Sequence, residues 1–174
     1  MFEIRKSNMN DVDMIIKHYK EVIIQIKNNK YNPNWEYGVY PKEENIINSI
    51  KSGDLYIGLI NSQIVSSIVI NHTPIQKYDT INWRINASDD EAYYIHLVAV
   101  NQDYKHQGIA NKMLKYAFNK CIKENIKTVR LCINKNNISI EKLYLNNGFS
   151  NVDSIEVNDE DRGLLFFEVY DKLF

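Results

Sequence analysis

A strand that turns through a glycine-bearing loop straight into a helix restricts this chain more than any other feature. "AYYIHLVAV" (Ala92 to Val100) is apolar, β-branched or aromatic almost throughout, as a central buried strand is. "NQDYKHQG" follows. Ile109, Met113, Leu114, Ala117, Phe118, Cys121 and Ile122 then recur at helical spacing and predict a helix to about Glu124. The first N–H groups of such a helix have no partner inside it and point outward together, at the positive end of the macrodipole. Lys105 and His106 add side-chain donors, Gly108 omits a Cβ where an anion would approach the backbone, and Ala110 stays small for the same reason. The unit reads as an anion site. It is neither a P-loop, since GxxxxGK[ST] is absent, nor a dinucleotide fingerprint, since the first Gly of GxGxxG is missing and the unit comes late in the chain.

Around this unit the chain alternates strands and helices. "FEIRK" predicts a strand, and Ser7, Asn8 or Asn10 can cap a helix from Asp11 to about Lys27. "NNKYNPNWEYGVYP" breaks that helix and forms an aromatic loop with Tyr31, Trp35, Tyr37 and Tyr40. Pro41 suits the first position of a second helix, which Gly53 ends. "LYIGLI" and "QIVSSIVIN" across Asn61-Ser62 predict a hairpin. A polar stretch carrying Tyr78 and Trp83 leads to Ala92. "TVRLCI" predicts a strand, Ser139 to about Asn146 a short helix, and 151–157 and 164–170 a last pair of strands. The order β-α-α-β-β-β-α-β-α-β-β predicts a mixed sheet with helices on both faces, in one domain over residues 1–174.

Charge and composition exclude several classes. The 174 residues carry 21 basic and 22 acidic side chains, for a formal net charge of -1, which argues against coating nucleic acid or an anionic membrane. No apolar run reaches the roughly 20 residues that span a bilayer, and "MFEIRKSNMND" turns polar too early for a signal peptide. A cytoplasmic protein is expected. Cys121 and Cys132 read as small buried hydrophobes. His18, His72, His96 and His106 show no metal-ligand spacing, so no metal is expected.

About 30 residues after the loop comes "NNISIEKLYLNNGF". Asn137 is a good cap, and Tyr144 lies two turns into the helix. Together, "VAVNQDYKHQGIANKML" and this segment resemble the GCN5-related N-acetyltransferase (GNAT) superfamily. There the first stretch is the acyl-CoA motif [QR]-x-x-G-x-[GA], and the second is the Asn…Leu-Tyr-x-x-x-Gly-Phe segment. Lys105 stands where the family usually has Gln or Arg; it keeps the charge and loses bidentate geometry. Ile140 stands where an alanine is common. The element order fits the family along nearly the whole chain.

The resemblance implies an α/β (α+β) GNAT fold. Its central sheet is mixed, largely antiparallel, of six to seven strands splayed at the fourth and fifth, with about four helices on both faces. It implies transfer of an acetyl group from acetyl-CoA, as cosubstrate, directly to a primary amine of a small molecule or peptide. Leu97, Val98, Ala99 and Val100 would meet the pantetheine arm with backbone groups, and one N–H there would polarise the thioester carbonyl. Lys105, His106, Gln107, Gly108, Ile109 and Ala110 would hold the pyrophosphate. Asn137 and Tyr144 would line the thiol end, with Tyr144 the general acid for the leaving thiolate. Strand alternation places Tyr94, His96, Val98 and Val100 on one face. His96 is then the candidate base, through a water, with Tyr94 as the alternative. In serotonin N-acetyltransferase a strand histidine falls at the position of His96.

The acceptor site is expected from the loop 31–40 and the stretch 72–90, with Trp35, Tyr37 and Trp83 framing the amine and Glu91 attracting its charge. Alternatives are a protein N-terminal or lysine acetyltransferase, or a silent acyl-CoA-binding module. The resemblance also admits a homodimer, because late strands of such folds often pair between subunits.

Overall fold

A computed structural model describes residues 1–29, 32–135 and 137–174. Tyr31, expected in the aromatic loop, lies outside the described residues. Seven strands and four α-helices alternate: β1 (Phe2–Lys6), α1 (Val12–Ile26), α2 (Glu43–Lys51), β2 (Leu55–Ile60), β3 (Gln63–Asn71), β4 (Ala92–Val100), α3 (Ile109–Lys123), β5 (Thr128–Asn134), α4 (Ile138–Asn146), β6 (Ser150–Asp159) and β7 (Gly163–Leu173). The sheet order is β1-β2-β3-β4-β5-β7-β6. Only β4 and β5 pair in parallel among the described strand pairs, over Ala92↔Thr128 to Tyr94↔Arg130; the others run antiparallel.

Two compact units make up the chain. One comprises Met1–Ile70 with His96–Ala117, the other Asn71–Ile95 with Phe118–Phe174. In the first unit, Asn8 and Asp11 form a reciprocal cap before α1, and Arg5 grips the Asp11 carboxylate at 2.7 and 2.8 Å. That guanidinium holds the Asp11 carboxyl below its ordinary pKa. The apolar stripe of α1 (Ile15, Tyr19, Val22, Ile23, Ile26) packs with Ile46 and Ile50 of α2 and Leu55, Ile57 and Leu59 of β2. Asn61 and Ser62, at φ 49° and 64°, make the left-handed two-residue turn expected between β2 and β3. A Cβ at Gly58 would collide with Ser66 Oγ and the Phe2 ring, so glycine is required at that close approach. Helix α2 begins two residues later than Pro41 predicts. The loop before it closes on itself, with Glu36 N–H donating to the Tyr40 carbonyl at 2.9 Å, and Lys42 becomes the N-cap.

In the second unit, Tyr78, Ile81, Ala92, Tyr94, Ile155 and Val169 share one core. The stretch 72–90, expected as an acceptor wall, thus supplies buried Tyr78, from a single-turn helix at Tyr78–Thr80, and buried Ile81; a second such turn spans Asp89–Glu91. Strands β6 and β7 run longer than predicted because the Asp159 carboxylate closes their hairpin. It accepts from the N–H groups of Asp161 and Arg162 at 3.1 and 3.0 Å and from the Arg162 guanidinium at 2.7 Å. Those donors pull its pKa down to about 2. Ile122, predicted on the buried stripe of α3, is 65% exposed; the stripe runs on through fully buried Cys121, and Ile122 falls off its edge.

Candidate functional site

The end of β4 departs from a regular strand. Leu97 has φ 49°, a left-handed conformation that a leucine rarely adopts. One residue in that conformation kinks a strand, as a β-bulge does. Leu97 and Ala99 both pack on the first unit's core, Ala99 only 2% exposed, beside Ile15 and Tyr19. His96 and Val98 are half-buried.

The loop after β4 is held from α1 and β3. Asn101 is 3% exposed. Its N–H donates to the Val65 carbonyl at 2.9 Å, and its Oδ1 accepts from the Asp103 N–H at 3.0 Å and from Gln25 Nε2 at 3.1 Å. Gln25 Oε1 in turn accepts from the Gln102 N–H at 2.9 Å. Tyr104 Oη reaches Gln63 Oε1 at 3.3 Å. From this anchored base the chain rises through exposed Lys105, His106, Gln107 and Gly108 and re-enters the core at Ile109, which is 2% exposed. Ala110 is half-buried. His106 and Gly108 both take left-handed φ, 60° and 70°. A Cβ at Gly108 would meet no atom of the described residues within 4 Å, so that side of the glycine faces open space among them. The Gly108 carbonyl accepts the N–H of Lys112 at 3.0 Å and starts α3. By helix geometry the first N–H groups beyond it point outward. The residues present fit an oxyanion such as a pyrophosphate.

Of the expected acceptor residues in this unit, Trp35 is 9% exposed, and its ring lies 5.9 Å from that of Tyr19 within the core. Tyr37 is exposed. Its hydroxyl donates to Glu43 at 3.0 Å and its ring lies under the Lys20 ammonium.

The second unit holds Tyr94, Trp83, Glu91, Asn137 and Tyr144. Tyr94 is 1% exposed; its hydroxyl donates to Asp89 Oδ1 at 2.6 Å and accepts from Arg130 at 3.3 Å. Burial first, and then Asp89, push its pKa up. The Arg130 guanidinium stacks 4.2 Å from the Trp83 ring centre and donates to the Ile85 carbonyl at 3.3 Å. Trp83 Nε1 donates to the Tyr78 carbonyl at 3.1 Å. Glu91 pairs with Lys127 and accepts the Ser88 N–H at 3.1 Å, and these contacts lower its pKa. Asn137 Oδ1 accepts from the Ile140 N–H at 3.3 Å and caps α4. Tyr144 is 5% exposed, its ring set edge-on 5.3 Å from Phe149. Burial, with a smaller contribution from Cys132, raises its pKa well above the ordinary tyrosine value. Among the described residues no group of His, Cys, Asp and Glu side chains could hold a metal ion, and no helix is long and apolar enough to cross a membrane.

Sequence reasoning missed Gln25, Asn101 and Tyr19. Nothing local marks them: Gln25 is an ordinary polar residue beside the apolar stripe of α1, and its partners lie 76 and 77 positions away.

Residues 21–149 match the model of the acetyltransferase (GNAT) family. The chain belongs to that family of acetyl-CoA-dependent acetyltransferases. Solved structures share the fold. A GNAT-family acetyltransferase of Streptococcus agalactiae is 16% identical with a TM-score of 0.80, covering 99% of this chain and 95% of that one. The ribosomal-protein-S18-alanine N-acetyltransferase of Escherichia coli is 13% identical with a TM-score of 0.70, covering 99% and 94%. The PaiA N-acetyltransferase of Thermoplasma acidophilum, solved in complex with coenzyme A, is 18% identical with a TM-score of 0.67, covering 100% and 99%. No curated protein matches the sequence.

Proposed function

We propose that this protein moves an acetyl group from acetyl-CoA directly to a primary amine of a small molecule or peptide. The observation that carries the reading is the first unit's run from the Leu97 bulge to Gly108: a strand end with an altered backbone, then an anchored loop with open space beside its glycine. Acetyl-CoA would supply an activated thioester. Gly108 and the first N–H groups of α3 would hold its pyrophosphate, with Lys105 and His106 adding charge; the coenzyme A complex of the Thermoplasma neighbour supports this use of the fold. A backbone N–H past the bulge would polarise the thioester carbonyl.

The choice of base follows from proton chemistry. An acceptor amine is protonated at neutral pH and must lose a proton to attack. Tyr94 is an unfit base, because burial and Asp89 keep its proton in place. That leaves His96, acting through a water. Tyr144 suits the opposite task, since a phenol with a raised pKa stays protonated and can donate to a leaving thiolate. The acceptor walls are revised: Trp35 is core and Glu91 is committed to Lys127, which leaves Tyr37 as an exposed aromatic among the described residues of its loop.

The test is an amine and peptide panel with acetyl-CoA, following thiol release and the mass of one added acetyl group. With the best acceptor, His96→Gln should lower kcat and alter the acid limb of the pH–rate profile, where the base loses its proton-accepting form. An unchanged pH–rate profile removes His96 from the role. Coenzyme A binding without turnover on any acceptor would favour a silent acyl-CoA-binding module.

A further inference from the structure

We infer that Tyr19, on α1, is a positioning residue for the acetyl group: by holding the Leu97 carbonyl it fixes the direction of the Val98 N–H. This rests on the acetyl-CoA reading above and names the device that sets its carbonyl contact.

Tyr19 is 1% exposed, and its hydroxyl donates to the Leu97 carbonyl at 3.0 Å across 78 positions of sequence. A fully buried phenol that spends its one proton on a single strand carbonyl is a strong constraint on that peptide. The peptide joining Leu97 to Val98 is planar and trans, so its C=O and N–H point in opposite directions. A hydroxyl that pulls the carbonyl toward α1 therefore turns the Val98 N–H away from α1. The same peptide follows the left-handed Leu97, a conformation that leucine adopts only where the surroundings impose it. Leu97 also packs on the core beside Tyr19, and the Trp35 ring bears on Tyr19 from the loop side at 5.9 Å. Ring packing and hydroxyl thus hold the bulge at one place. Burial raises the Tyr19 pKa, which keeps the donor protonated at any working pH.

Gln25, two turns further along α1, holds the loop base at Asn101 and Gln102. One helix therefore grips the strand end at the carbonyl-contact segment and again at the phosphate loop, with separate side chains. That separation makes the role testable.

The experiment is isotope-edited infrared spectroscopy of acetyl-CoA, carbon-13 labelled at the thioester carbonyl, bound to the full chain. Titration calorimetry of CoA and acetyl-CoA accompanies it. In the wild type the carbonyl band should move to lower frequency on binding. Tyr19→Phe keeps the ring and should cut that shift by more than half, while the affinity for CoA itself stays within about twofold. Tyr19→Phe combined with Leu97→Gly should recover part of the shift, because glycine holds the left-handed conformation without help. A full shift in Tyr19→Phe overturns the inference, as does a wild-type protein that binds acetyl-CoA with no shift at all. A wild-type protein that binds neither CoA nor acetyl-CoA overturns the acetyltransferase reading instead. Should Tyr19→Phe melt early, the Gln25→Ala variant is the reference: it should retain the full band shift, and loss of the shift there too would also overturn the inference.

Discussion

The two units use polar groups in opposite ways. In the second unit polar side chains are turned on one another: Asp89 accepts the Tyr94 hydroxyl's hydrogen bond, Arg130 backs Tyr94 and stacks on Trp83, and Arg84 meets the fully buried Asp171. In the first unit the notable groups are backbone ones, held by neutral side chains from far along the chain: Tyr19 on the Leu97 carbonyl, and Gln25 on Asn101 and Gln102. A closed network of charges serves the fold, because an ion sequestered without its partner costs several kcal/mol. A backbone ribbon braced from behind is free to meet a ligand on its open side.

Arg84→Ala should break the closed network hardest. It leaves the Asp171 carboxylate buried without its cation, and stability should fall by about 3 kcal/mol, the low end for a buried pair because Arg84 is itself 38% exposed. A urea melt reads the loss, and CoA affinity at a temperature where the variant is folded should not move.

The first unit has an acid-sensitive point of its own. His18 is 2% exposed, neither ring nitrogen has a hydrogen-bond partner among the described residues, and burial lowers its pKa from 6.5 to about 4. The unfolded chain takes up the proton first. The contribution of neutral His18 is therefore whole above pH 6.5 and falls as the pH drops toward 4, where the loss should reach about 3 kcal/mol. His18→Leu should flatten that limb of the stability curve, measured as the difference between variant and wild type from pH 7 to pH 4.

Gly108→Ala separates the fold from the ligand. No atom of the described residues crowds the new Cβ, so the left-handed backbone is what resists it, at about 1–2 kcal/mol. CoA affinity should drop by at least about tenfold, more than the stability change accounts for. Equal, small effects on both would detach Gly108 from the phosphate. Gln25→Ala should do least: about 1 kcal/mol in CoA binding through a looser loop base, seen by calorimetry, with the melting temperature nearly unchanged.

Where an element is set by neighbours in sequence, it was legible. The bounds of β4 follow from one apolar run, the β2–β3 turn from Asn61-Ser62, the capped turn leading into α1 from Asn8, and the start of α3 from Gly108. The family motifs around Gly108 and Tyr144 were legible for the same reason, since each is a short run of fixed spacing. The helix starting at Glu43 in place of Pro41, and the length of β6 and β7, were not. Each depends on how a loop closes: Glu36 on Tyr40, and Asp159 on Arg162.

Local periodicity by itself therefore determined the order of elements, the glycine loop and the family pattern, because hydrophobic spacing and turn residues act over a few positions. Tertiary structure alone decided that Leu97 turns left-handed within β4, that Trp35 belongs to the core, that Tyr94 keeps its proton, and that Tyr19 and Gln25 brace a strand end more than 70 residues away. These depend on pairings between distant segments, and a donor such as the Tyr19 hydroxyl carries no mark of its acceptor until the chain has packed.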